Sequence, residues 1–292
     1  MRLILLVSLA MAAFAANSLL NRLALVEGGM GPASFAAVRL AAGALMLAAL
    51  VRARSGGFRL AGQGRLRAFG AVTLAIYMIG FSYAYLTLEA GTGALILFGG
   101  VQVTMFAGAV AMREPVPLRR WVGAALALAG LAVLAAPGMG AAPDPVGAVL
   151  MGTAAVGWGL YSLAGRRAGD PLSATAGNFV LALPLALLVL LALPGDGRVT
   201  GAGIAAAAVS GAVTSGLGYA LWYAVLPRLP ASVAAVAQLT VPVLAALAGA
   251  VLLAEVPGPR FWAAALLVIA GVLLSVLRIS RGPSPPGAAS RG

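Results

Sequence analysis

Runs of about 16 to 25 mostly apolar residues alternate with short stretches of glycine, proline and arginine along the whole chain. At about 1.5 Å of rise per residue, such runs are long enough to cross a hydrocarbon core as helices. Ten can be read, at residues 3 to 25, 33 to 51, 68 to 88, 93 to 112, 120 to 136, 146 to 165, 172 to 193, 203 to 227, 231 to 253 and 260 to 278. The fifth is short and needs Arg120 or Pro137 near the interface. Turn residues mark the boundaries at 28 to 32, 55 to 57, 115 to 117, 137 to 145, 194 to 197 and 227 to 230. The pattern predicts an all-α integral membrane protein of ten transmembrane helices. Residues 279 to 292, with three prolines, read as a disordered cytoplasmic tail.

The polar positions between these runs repeat. Glu114, Arg119, Trp121 and Gly130 recur at unchanged intervals as Glu255, Arg260, Trp262 and Gly271. Pro32 and Ser34 match Pro171 and Ser173, while Phe14, Ser18 and Arg22 match Trp158, Ser162 and Arg166. The spans divide into two five-helix repeats, residues 1–137 and 146–278. An odd number of crossings inserts the second repeat upside down, so the two halves should enclose a central cavity about an axis in the membrane plane.

Composition narrows the class. The chain is 62% hydrophobic and 9% charged, with a mean hydropathy of +1.04, so much of its surface must face lipid. Without cysteine or histidine it has no thiolate or imidazole for metal binding or for Ser-His chemistry, and no metal or other cofactor is expected. All nineteen basic residues are arginines at or near segment ends, apart from Arg39, so the net charge of +12 reports topology and no nucleic-acid partner is expected. With both termini inside, the cytoplasmic ends collect Arg2, Arg52, Arg54, Arg59, Arg65, Arg67, Arg113, Arg119, Arg120, Arg166, Arg167, Arg228, Arg278, Arg281 and Arg291. Only Arg22, Arg198 and Arg260 fall outside, and the excess inside sets the orientation. Met1 to Ala15 resembles a signal peptide, but the apolar run continues to Val26, and cleavage would leave nine helices.

The twin Glu-to-Trp-to-Gly signatures, Arg39 in the second segment and the run Ala90-Gly91-Thr92-Gly93-Ala94 opening the fourth carry a resemblance over residues 3 to 278. The chain resembles the EamA-type, ten-helix branch of the drug/metabolite transporter superfamily, and within it the YddG-type amino-acid exporters. The resemblance implies an inner-membrane, multi-pass exporter of aromatic and other neutral amino acids. The alternative is an exporter of quaternary ammonium drugs or of another small metabolite. A phosphorylated substrate would call for several cavity cations, and only Arg39 is available.

Discontinuities at matching places in the two halves point to the binding site. The offset that aligns the glutamates sets Gly99-Gly100 against Thr240-Val241, just before Pro242, and these positions are candidate hinges. Close helix packing is the competing explanation. Candidate substrate contacts are Tyr77, Phe98, Gln102, Trp158, Tyr161, Asn178, Tyr219 and Gln238, where aromatic rings wrap an apolar side chain and amides bond a zwitterion. Trp121, Trp222, Tyr223 and Trp262, nearer helix ends, read as an interfacial belt.

Arg39 is the one charge well inside a span, either a substrate-carboxylate anchor or a structural group bonded within the bundle. The structural reading is favoured because Pro32 is only seven residues away. Glu114 and Glu255 read as capping or gating groups. No carboxylate lies deep in a span, which argues against proton coupling; Glu27 and Glu89 at helix ends are the nearest candidates. No catalytic grouping of nucleophile and base is visible. The expected partners are a small-molecule substrate, a zwitterionic amino acid, and membrane lipid, with a monomer as the working unit.

Overall fold

The computed structural model describes residues 1–56, 64–136, 142–165, 169–193, 198–229 and 231–276. The expected disordered tail lies outside these residues, as do Arg59, Arg166 and Arg167. The described chain is all helical. In lipid, helices satisfy their backbone hydrogen bonds internally, so apolar runs of this length adopt them. The ten segments are α1 (Arg2–Glu27), α2 (Pro32–Ser55), α3 (Gly64–Ala84), α4 (Ala90–Ala111), α5 (Leu118–Ala135), α6 (Pro145–Gly165), α7 (Pro171–Ala192), α8 (Gly201–Arg228), α9 in two pieces (Ala231–Gln238 and Thr240–Leu252) and α10 (Pro259–Val276).

Local chemistry sets several helix starts. Pro32 and Pro171 occupy first-turn positions, where a missing N–H costs nothing. Asp170 caps α7 by accepting from the Ser173 amide at 3.5 Å, and its carboxylate also pairs with Arg54 at the end of α2. Thr200 caps α8 through the Gly203 amide at 3.1 Å. Asp144 accepts from the Gly147 amide at 2.7 Å and from the Thr87 hydroxyl at 3.0 Å, fastening the start of α6 to the turn after α3.

Most of the principal helix pairings recur when the two halves are exchanged. α3 packs on α6 as α8 packs on α1, α4 on α6 as α9 on α1, and α3 on α7 as α8 on α2. α2 with α7, α4 with α9, and α5 with α10 pair across the axis. At the α5–α10 crossing, a Cβ on Gly130 would meet the Ala264 carbonyl at 2.8 Å, while one on Gly271 would collide with the Gly123 carbonyl. Under the repeat offset these are one contact seen twice. It explains why the signature ends in glycine.

At the matching places the two halves behave differently. The ninth segment breaks beside the weak point read at Thr240-Val241: a turn at Leu239 divides it, just before the buried Pro242. By contrast α4 runs unbroken through Gly99 and Gly100, where added Cβ atoms would meet Leu131 at 3.1 Å and Ala155 at 2.7 Å, so this pair serves close packing. The larger irregularities are π-helical stretches at Leu23–Glu27, directly before Gly28-Gly29, and at Ser210–Leu217. Gly211, within the second, lies so close to the Arg39 carbonyl that any side chain would clash.

Candidate functional site

A cavity of about 1160 Å³ enters the bundle from the end that carries Met1. Its mouth lies between the α4–α5 turn, with Glu114, Arg119 and Arg120, and the ends of α6, α8 and α10, with Gly165, Leu229 and Val276. Deeper walls carry Gln102, Ser162, Trp222, Tyr223 and Gln238. The cavity stops at Phe14, Trp158 and Tyr219. These three rings also line a second compartment of only about 20 Å³, bounded further by Asn17, Ser18, Tyr77, Phe81, Leu97 and Phe98. They form a partition between an open half and a closed half.

The partition is part of an aromatic cluster. Trp158 lies 4.9 Å from Tyr77, 5.1 Å from Tyr219 and 5.4 Å from Tyr161 between ring centroids, and Phe14 meets Tyr219 edge-on at 5.7 Å. Such spacings suit favourable ring contacts. Phe14 and Trp158 correspond in the repeat, so each half contributes one ring at the same depth.

The predicted contacts therefore separate into three groups. Gln102, Trp158, Tyr219 and Gln238 line the large cavity, while Tyr77 and Phe98 reach only the small compartment. Tyr161 and Asn178 line neither: Tyr161 is buried behind Trp158 with its hydroxyl on Thr175 at 3.1 Å, and Asn178 packs on α3 at Gly70. Trp222 and Tyr223 are wall residues rather than a belt, because α8 turns their rings inward; Trp121 and Trp262 remain exposed.

Sequence reading missed the polar lining of the closed half. Asn17 Oδ1 accepts from Ser210 at 2.8 Å, Thr214 at 2.6 Å and Ser215 at 3.3 Å. The π-helical stretch of α8 brings these three hydroxyls together, and such stretches recur at functional sites. Arg39, fully buried, extends the network: Nε donates to Ser215 at 3.1 Å and Nη2 to the Tyr77 hydroxyl at 3.3 Å. The sequence signal for this network is an asparagine, Asn17, in mid-span.

Beyond the small compartment the bundle is shut. Arg22 Nε donates to Glu255 Oε1 at 2.6 Å, and Arg22 Nη1 holds the carbonyls of Tyr85 at 3.1 Å and Leu86 at 3.2 Å. Glu255 Oε2 accepts from the Ala90 amide at 2.8 Å, so the carboxylate caps α4 as well. The Tyr85 hydroxyl donates to Ser18 at 2.8 Å just beneath. At the other end Glu114 is exposed at the cavity mouth. Repeat-equivalent glutamates thus occupy opposite situations. Both follow a residue in the left-handed region, Arg113 at φ 57° and Ala254 at φ 55°, which turns the chain back over the end of its helix.

Comparison with known proteins agrees with this architecture. The EamA-like transporter family matches residues 1–136 and 145–277. The chain belongs to that family. The transporter is accordingly a multi-pass membrane protein of the drug/metabolite transporter superfamily, with ten helices in two inverted five-helix repeats around a central cavity. It is similar to an uncharacterized protein of Pseudomonas aeruginosa, 50% identical over 273 residues that cover 94% of each chain. A protein of known crystal structure shares the fold at a TM-score of 0.67 and 22% identity, over 94% of the transporter and 99% of that chain.

Proposed function

We propose that this transporter exports amino acids, aromatic and other neutral ones, across the bacterial inner membrane by alternating access. The observation that carries the reading is the cavity itself. It is roomy, ends on aromatic rings, offers the amides of Gln102 and Gln238 as oriented polar groups, and among the described residues has its only lining carboxylate, Glu114, at the mouth. Its volume of about 1160 Å³ lies just above the range of about 300–1,000 Å³ typical of small-ligand pockets, leaving room for a hydrated substrate. A zwitterion with an apolar side chain fits such walls.

In this proposal the halves are residues 1–137 and 146–278, the termini are cytoplasmic, and the Met1 end faces inward, where most arginines gather. The cavity then loads from the cytoplasm while Arg22, Glu255 and the start of α4 close the outside. Exchange of the two halves' roles produces the outward-open state. Glu114 then takes the capping position at the start of α9 that Glu255 holds on α4. The break at Leu239 beside Pro242 serves as the hinge in α9. One chain contains both halves, which favours a monomer.

The mouth also weighs against a cationic drug as substrate, since Arg119 and Arg120 outnumber Glu114 there. Competition in reconstituted uptake among amino acids, quaternary ammonium compounds and sugar phosphates tests the proposal. Neutral amino acids should compete and exchange. If they do neither, the exporter reading fails.

A further inference from the structure

We propose that Arg39 is the carboxylate anchor of a second, deeper substrate subsite, reached when the ring partition opens, and that the Tyr77 hydroxyl holds its place meanwhile. The inference rests on the amino-acid reading and specifies how the substrate is recognised. Arg39 is fully buried, yet none of the described carboxylates pairs with it. Its guanidinium lies 5.0 Å from the Phe81 ring centroid and 5.7 Å from that of Tyr77. Of its three nitrogens, Nε donates to Ser215, Nη2 donates to the Tyr77 hydroxyl at a long 3.3 Å, and Nη1 has no hydrogen-bond partner among the described residues. A buried guanidinium with a nitrogen unsatisfied is costly, and a planar carboxylate engaging two adjacent nitrogens is the complement that removes the cost.

Tyr77 makes that site reachable. Its ring is one wall of the small compartment, against the partition residue Trp158 at 4.9 Å, while its hydroxyl touches Arg39. A neutral hydroxyl is a weak partner for a guanidinium, and a carboxylate oxygen replaces it at a gain. At about 20 Å³ the compartment has room for about one water, so entry requires Tyr77 and Trp158 to swing aside. Ser18 and the hydroxyls gathered on Asn17 supply further polar groups on the closed side. Substrate would thus be passed from the open cavity, carboxylate first, through the rings.

The test measures equilibrium binding to purified full-length transporter, comparing L-phenylalanine with its amide and with phenethylamine, which lacks the carboxyl. The wild-type protein should bind the acid at least about tenfold more tightly than either analogue, the usual consequence of losing a charge-assisted hydrogen bond. Arg39→Gln should collapse that ratio toward one. A merely structural arginine would lower stability and leave the ratio intact. Tyr77→Phe, which keeps the ring and removes the placeholder, should preserve or increase the preference for the acid. Equal binding of acid and amide by the wild type overturns the anchor while leaving amino-acid transport standing. Loss of the preference in Tyr77→Phe overturns the assignment to Arg39. Absence of any amino-acid binding or exchange defeats the transport reading itself.

Discussion

Replacing Glu255 with Gln should open the outer face. The carboxylate makes two charge-assisted contacts, with Arg22 at 2.6 Å and the Ala90 amide at 2.8 Å, and the paired side chains are only 16% and 11% exposed. The amide keeps the shape but not the charge. The amide has a single acceptor oxygen and can serve only one of the two donors; losing one hydrogen bond to a charged group, which contributes about 1.5–3 kcal/mol, destabilises the closed state by about 2 kcal/mol. That is about a 30-fold shift, enough to turn a 99:1 preference for closure into about 3:1. The natural chain has no cysteine, so a single Ser82→Cys gives a clean reporter. Ser82 is fully buried, one turn beneath the Tyr85 carbonyl that Arg22 holds. Labelling by a membrane-impermeant thiol reagent from the outside should accelerate at least about tenfold in the Glu255→Gln background. Glu114→Gln, at the opposite end, should not produce this. If Glu255→Gln leaves labelling unchanged, or Glu114→Gln raises it equally, the ion pair is not what holds the outer face closed.

Other outcomes follow from single contacts. Ala254→Gly removes a left-handed strain of about 1 kcal/mol, and a thermal-unfolding midpoint above that of wild type would register it. Gly271→Val forces a side chain against the Gly123 carbonyl and should cost about 1–3 kcal/mol, lowering the same midpoint. Partial burial pushes the Asp170 carboxyl up, but the bonds from the Ser173 hydroxyl, Arg54 and the Ser173 amide outweigh it and hold it below the ordinary value. Its stabilisation is therefore present above the unfolded value of about 3.9 and is lost as pH falls through the lower folded value. A mild chemical-denaturation series across that acid range should show a loss in wild type that is absent in Asp170→Asn. Trp158→Ala removes the central ring of the partition and should impair exchange while expression and monodispersity persist; unimpaired exchange would misplace the site.

Much of the fold was already determined by the order of apolar runs. Ten segments and their ends follow from length, hydropathy and turn residues, because lipid leaves a spanning backbone little choice but helix. The repeat follows from Glu114, Arg119, Trp121 and Gly130 and their second copies, and an odd number of crossings inverts one half. Composition could also nominate Gln102, Trp158, Tyr219 and Gln238, since polar and aromatic groups in mid-span are costly unless they face protein or water.

Tertiary structure decided which of these groups meet. Rotation about each helix axis, set by packing, put Trp222 and Tyr223 on the cavity wall and withdrew Tyr161 and Asn178 behind it. It turned the Gly99–Gly100 pair into a packing contact and brought Asn17 under three hydroxyls of a π-helical stretch that no local residue predicts. The asymmetry between Glu114 and Glu255 is likewise invisible in two matching motifs. A sequence repeat is symmetric, whereas a carrier closed at one end is not, and only the packed bundle shows which end is shut.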